Sequence, residues 1–238
     1  MSEMPNLAGV ESGLRHTFAD KTLGSLALTV GRPGWGRLEF LGDAILNVVV
    51  FATAESRGYP RDRAEQLVSN RNLRKIFGRK FASHTEDTTG DIVEALIGAV
   101  FLDSDFNTAA AVITTSIEPS LGLFDPSLLH KSATTIEQRG LAWLGARGVV
   151  TAIVADHLCR VSPTSPKRYY SKTRDGLLGI QRLANRSREL GFASKGDGNE
   201  VAKDFIDAHI ATIFLRDGWD AAKPEVLRVL NIRNEAKP

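Results

Sequence analysis

The sequence predicts an all-helical, internally repeated chain, on three observations. Apolar residues recur at helical spacing in two long stretches, Leu38, Leu41, Ile45, Val48 and Val49 in one and Val93, Leu96, Ile97 and Val100 in the other. Glycine- and proline-rich punctuation, such as Gly31-Arg32-Pro33-Gly34-Trp35-Gly36 and Gly58-Tyr59-Pro60, separates such stretches. The second half of the chain repeats the first in a worn form.

Taken in order, residues 8 to 30 read as one or two short helices with Phe18, Leu23, Leu26 and Ala27 facing inward. A helix over about 37–56 follows and stops before Pro60, because proline cannot easily continue it. A basic helix is expected over 61–82, with Arg61, Arg63, Arg71, Arg74, Lys75, Arg79 and Lys80 set against Asp62 and Glu65. Residues 84–90 read as a polar turn. A second apolar helix then runs from Asp91 to Asp103, and another covers 107–117. Asp103-Ser104-Asp105 lacks the remaining ligands and closing Glu of a calcium loop, so capping explains it better.

The two apolar helices share an oddity. Glu39 and Asp43, four apart, lie together opposite the first stripe, and Asp91 and Glu94 share the flank of the second. Like charges at that spacing cost roughly 0.2–0.5 kcal/mol. A hard divalent cation such as Mg²⁺, which prefers oxygen ligands, would neutralise all four carboxylates. Two ordinary solvated helix faces are the competing explanation.

The repeat is selective. Phe124, Leu129 and Ala133 reproduce the intervals of Phe18, Leu23 and Ala27. Leu38, Phe40, Leu41 and Gly42 become Leu141, Trp143, Leu144 and Gly145, whereas Glu39 and Asp43 become Ala142 and Ala146, and Glu94 becomes Asp207. Packing residues survive while two of the four carboxylates are lost, so Asp204 and Asp207 alone should hold a cation weakly. Asp43 and Asp91 are 48 residues apart, Ala146 and Asp204 58, so an added loop is expected near 162–172. His209 reads as a structural residue on a helix flank.

Composition sets outer limits. With 238 residues, 42% of them hydrophobic, the chain can bury a substantial core. A net charge of +2 means that nucleic-acid affinity must come from local clusters rather than from bulk charge. Cys159 is the lone cysteine, which excludes an intrachain disulfide and reads as a buried small hydrophobe. No secretory leader and no uninterrupted membrane-length apolar run is evident, so an intracellular, cytoplasmic protein is expected.

Leu38-Glu39-Phe40-Leu41-Gly42-Asp43-Ala44-Ile45-Leu46 resembles the signature motif of the ribonuclease III family, and Asp91-Ile92-Val93-Glu94-Ala95-Leu96-Ile97-Gly98-Ala99 resembles its second acidic motif. Phe18, Leu23 and Ala27 resemble its opening helix. The resemblance implies two all-helical ribonuclease III-like domains forming an intramolecular pseudo-dimer, with intact motifs in 1–117 and a degenerate copy in 118–238. It further implies that Glu39, Asp43, Asp91 and Glu94 are catalytic and hold Mg²⁺, with Mn²⁺ as a substitute. The substrate class would be double-stranded or structured RNA, cut in one strand per binding event to leave 5′-phosphate and 3′-hydroxyl ends.

Basic candidates for RNA contact are Arg71, Arg74 and Lys75 in one cluster. The second cluster is Lys167, Arg168, Lys172 and Arg174, extended by Arg182, Arg186 and Arg188, with Tyr169 and Tyr170 placed to stack or touch sugar. Two departures from the family stand out: Gly36 occupies the place of a further Glu, and little chain follows the second copy to supply a separate RNA-binding domain. A non-catalytic RNA-binding or assembly protein on the same frame is the alternative, and a helical nucleotide phosphohydrolase a third reading. A monomer is expected if the copies pair internally, a homodimer if they do not.

Overall fold

The computed structural model describes residues 7–77, 88–116 and 138–232. Every regular element among them is a helix, as expected. The first half contains α1 (Leu7–Leu14), α2 (Lys21–Ala27), α3 (Trp35–Ser56), α4 (Arg61–Leu67), α5 (Asn70–Phe77), α6 (Thr88–Asp103) and α7 (Phe106–Ser116). The second contains α8 (Gln138–Leu144), a π turn over Gly145–Val149, α9 (Val150–Val161), α10 (Lys167–Leu177), α11 (Ile180–Glu189), α12 (Asn199–Asp217) and α13 (Trp219–Val229).

The first half is organised by α3, which packs along α6. Gly42 and Gly98 let the two backbones touch: a Cβ on Gly42 would lie 1.7 Å from the Glu94 carbonyl oxygen, and one on Gly98 would lie 2.1 Å from that of Leu38. No residue larger than glycine fits either place without separating the helices. The same contact recurs in the second half, where a Cβ on Gly145 would lie 2.0 Å from the carbonyl oxygen of Asp207. Glycine and acidic partner are the positions that the sequence repeat pairs with Gly42 and Glu94.

Local chemistry fixes the ends. Asp20 caps α2 by accepting from the Thr22 amide at 2.8 Å. Gly34 opens α3 in the left-handed region at φ 87°, and the Trp35 indole N–H donates to the Ala27 carbonyl at 2.9 Å, tying α2 to the start of α3. Asp105 caps α7 through the Thr108 amide at 2.7 Å, as expected. Asp103 does more than cap: it accepts from the backbone amides of Ala19 and Asp20 and bonds His16, holding the α1–α2 connection against the end of α6.

One contiguous apolar core runs through both halves, joining Leu38, Ile45 and Leu96 to Val149, Ile153, Ile210 and Phe214. At its centre three ring contacts are reciprocal. Phe106 and Trp219 stack with centroids 4.7 Å apart and planes 3° from parallel. Phe101 meets Trp219 edge-on at 5.6 Å, and Phe214 meets Phe106 edge-on at 5.6 Å. Phe101 and Phe214 are the same number of residues apart as Phe106 and Trp219, so each contact is the image of the other, the pattern of a two-fold interface.

Several expectations are corrected. The basic segment is two helices, because α4 ends at Leu67 and α5 begins at Asn70; Arg79, Lys80 and the rest of 78–87 lie outside the described residues. The second acidic helix starts at Thr88, within the expected turn. The added segment near 162–172 is loop only as far as Pro166, which caps α10 at its N-terminus. The run Gln138–Val161 is long and apolar enough to cross a membrane by length and composition, contrary to expectation, but 67% of its apolar window is buried against the rest of the protein, as in a core helix. Phe124, Leu129, Ala133 and the boundary expected at 117 lie outside the described residues.

Candidate metal centre

The close crossing of α3 and α6 sets Glu39 beside Glu94. Carboxylate oxygens of Glu39, Asp91 and Glu94 all lie within 4.8 Å of one another, the spread of a cation's ligand set. Glu39 is 4% exposed and Glu94 5% exposed, which excludes the solvated-face explanation. The reason is that α3 carries apolar residues all round: Phe40, Ala44 and Phe51 are buried as well as the Leu38 stripe, so its acidic flank is covered too.

Three of the four expected acids are thus brought together. Asp43 stands beside them, its carboxylate accepting from Asn47 Nδ2 at 3.1 Å and facing a cavity of about 560 Å³. That cavity lies between the halves and is lined also by Glu65, Arg147, Arg174 and Lys203. Asp91 is held from the other side, where Asn70 Nδ2 donates to Oδ1 at 2.8 Å. Gly90 makes room for this: a Cβ there would lie 2.8 Å from the Asn70 side chain. Neither asparagine is singled out by sequence reasoning, since nothing in a local pattern pairs Asn70 with an acid 21 residues on.

The acids of this site are only partly compensated, by Lys167. Burial, then the charges of Asp43, Glu39 and Asp91, push the Glu94 carboxyl up to about 10. Burial also raises Glu39, against the pull of Lys167, and raises Asp43. Glu39 Oε2 is buried with no hydrogen-bond partner. An orphaned carboxylate oxygen within an oxygen-only, crowded set of acids fits a hard divalent cation.

The second-half counterpart differs. Asp207 is fully buried and takes a hydrogen bond from Lys203 Nζ at 2.5 Å, while Ala142 and Ala146 occupy the places of Glu39 and Asp43. Burial still raises the Asp207 carboxyl, to about 6. Lys203 serves one oxygen of Asp207, whose Oδ1 is buried without a partner, and the other acid of this motif, Asp204, is exposed, so the difference from the first half is the missing cluster of acids rather than the lysine.

The basic candidates divide. Arg71 and Lys75 are exposed on α5 and line a groove of about 500 Å³ with Arg63, Gln66 and Asn72. Arg74 is half-buried on the same helix. Arg168 and Lys172 are exposed on α10, and Arg174 lies with its guanidinium 5.4 Å over the Phe40 ring while bonding Asp175. Lys167 instead reaches the acidic centre and donates to Glu39 Oε1. Arg182 and Arg186 donate to the carbonyls of Leu230 and Val229 at the end of α13, and Arg188 to that of Asp197, so these three are committed to structure. Tyr170 is fully buried, stacked on Phe40 and bonded to the Ser162 carbonyl, and cannot meet a base; Tyr169 is exposed. Cys159 is buried, its thiol raised to about 12 by burial, and His209 bonds Glu225 at 3.0 Å, both structural as expected.

No family model matches the chain. Among curated proteins it is similar to Ribonuclease 3 of Bordetella pertussis, 36% identical over 160 residues covering 57% of this chain and 62% of that protein. Ribonuclease 3 of Bordetella avium is 34% identical over 176 residues, covering 64% of this chain and 70% of the relative. Ribonuclease 3 of Methylocella silvestris is 31% identical over 181 residues, covering 63% and 72%. The chain therefore spans somewhat less than two thirds of the Bordetella pertussis protein and somewhat more than two thirds of the other two. With this breadth of likeness, and with both acidic motifs meeting at one helix crossing, the chain belongs to the ribonuclease III family.

Proposed function

We propose that this protein is a Mg²⁺-dependent endoribonuclease that hydrolyses phosphodiester bonds of double-stranded or otherwise structured RNA. The observation that carries this reading is the trio of buried Glu39, buried Glu94 and half-buried Asp91, in which Glu39 Oε2 has no partner within the protein. Glu39, Asp91 and Glu94 would hold the ion, with Asp43 adjacent. Mg²⁺, when bound, supplies a lowered pKa for water and positive charge for the phosphate. The rest is the protein's own work. Asn70 and Asn47 fix the rotamers of Asp91 and Asp43, and the α3–α6 crossing holds Glu39 against Glu94. Burial and its acidic neighbours favour the protonated form of Glu94 even with Lys167 nearby, so Glu94 would have to give up its proton to serve as a ligand.

The two halves, 1–117 and 118–238, act in this reading as a pseudo-dimer within one chain. The reciprocal contacts of Phe101, Phe106, Phe214 and Trp219 support it, as does the recurrence of the glycine crossing. With the full set of four carboxylates in one half alone, one strand is cut per binding event in this reading. Arg71, Arg74 and Lys75, with Arg168, Lys172 and Arg174, would meet the phosphates.

A second reading, an RNA-binding or assembly protein without catalysis, is favoured by one observation: Glu39 is already paired with Lys167. Labelled duplex RNA incubated with Mg²⁺ separates the two. The wild type is expected to nick one strand, and Asp43→Ala and Glu94→Ala to lose about a thousandfold in rate. Equal cleavage by all three proteins would overturn the catalytic reading; duplex binding without product would favour the second.

A further inference from the structure

Lys167 belongs to the second half of the chain, yet its ammonium lies on the carboxylates of the first. It donates to Glu39 Oε1, and Asp91 and Glu94 are close enough to act on its charge. The Lys167 side chain is 53% exposed, but the helix that carries it is firmly seated. Pro166 caps α10 immediately before it, and Tyr170, one turn further along the same face, is fully buried, stacked on Phe40 at 5.4 Å and bonded through its hydroxyl to the Ser162 carbonyl at 2.6 Å. Arg174, one more turn along, lies over the same Phe40 ring. The stripe Lys167, Tyr170, Arg174 therefore seats α10 on α3 with the lysine at its leading edge.

The start of α3 is shaped to match. Gly36, one turn before Glu39, faces Lys167: a Cβ at 36 would lie 3.2 Å from the Lys167 Cβ and 3.9 Å from its backbone. A side chain at this position would press on the Lys167 Cβ, which would have to give by a few tenths of an ångström, so glycine here lets α10 sit close to the start of α3. Arg61, likewise the first residue of a helix entered through a proline, is held differently: it pairs with Glu55 of its own half and lies over Trp143 of the second. A positive charge is thus delivered to the crossing that retains its acids.

Resting on the metal-centre reading above, we propose that Lys167 is a resident positive charge of the active centre: it takes the place of a second divalent cation beside Glu39, so that the site holds one ion rather than two. Four carboxylates face one ion and one ammonium. Lys167 is in this sense a positioning residue that fixes Glu39 and sets the stoichiometry of the metal site.

Manganese titration of the full chain, read by electron paramagnetic resonance of free Mn²⁺ and by calorimetry, tests this without RNA. The wild type is expected to bind one ion per chain, an ion lost in Asp91→Asn. Lys167→Met and Lys167→Gln are expected to bind a second ion, or to tighten the first about tenfold through loss of the opposing charge. Lys167→Arg is expected to keep one. Two variants of different polarity guard against a folding defect in either. Two ions in the wild type, or one ion of unchanged affinity in both charge-removing variants, would overturn the proposal and leave the metal centre standing. No ion in the wild type would overturn both.

Discussion

The two helix crossings of this molecule share a backbone and differ in charge. In the first half, α3 meets α6 with Gly42 under the Glu94 carbonyl, and the same contact carries Glu39, Asp43, Asp91 and Glu94. In the second, Gly145 meets the Asp207 carbonyl as closely, but the flanking residues are Ala142 and Ala146, and Lys203 neutralises the remaining buried acid. The helix entering the second crossing also accommodates a π turn at Gly145–Val149, directly at the position of Ala146, where no carboxylate has to be aimed. Close packing and ion binding are therefore separable demands on one motif. Gly42 and its counterpart Gly145 serve the first in both halves, although Gly98 becomes Ala211; the full set of four acids, which would serve the second, stays only in one half.

The largest effect is expected from the feature the crossings share. Gly42→Ala and Gly145→Ala each push a methyl group into a carbonyl oxygen, and each should destabilise the fold by about 3 kcal/mol or more, measured by urea unfolding. A loss in one half alone would show that the crossings are not equivalent. Next comes the pairing that distinguishes the second half. Lys203→Met strands Asp207 in the core and should cost about 2 kcal/mol at pH 8, with a smaller cost at pH 5, where the raised carboxyl is already protonated. An equal cost at both values would mean that charge pairing does not explain Lys203.

The smallest effect sharpens the contrast in the first half. Glu94 has a native pKa raised above its unfolded value, so the metal-free protein binds the extra proton when folded; its contribution is fully present below about pH 4.5 and is lost as pH rises toward about 10. In a chelator, the melting temperature should thus fall from pH 6 to pH 9. Glu94→Gln should flatten that fall and raise the melting temperature at pH 9 by a few degrees, on the order of 1 kcal/mol, while Mg²⁺ should stabilise the wild type and not the variant. An unchanged slope in Glu94→Gln would remove Glu94 as its source.

Much of this was legible in the chain. The apolar spacing of Leu38, Leu41 and Ile45 locates α3 to within two residues at its start, and the paired acids point to the residues that meet. Burial of those acids was not legible, because a helical stripe gives the angle between residues and is silent about what covers the opposite side; Phe40 and Phe51 on that side were the available hint. The break between α4 and α5 was hidden because Val68-Ser69 interrupts the helix without a glycine or proline. The basic run in the second half misled for a different reason. Charge composition cannot tell a cation displayed to solvent, such as Lys172, from Arg182 and Arg186, which close the carbonyl end of α13 across more than 40 residues of chain. Lys167 reaching Glu39 spans 128 residues, and no local pattern contains it.

The parallel stack of Phe106 on Trp219 joins two aromatic residues of a single polypeptide. Association between separate subunits weakens on dilution, whereas rings linked by a covalent tether face each other at an effective concentration that the solution cannot change. Whatever the abundance of this protein in its host, its two halves are always supplied in equal numbers, and on the proposed reading one of them is free to lose its chemistry without a fully inert pair ever assembling.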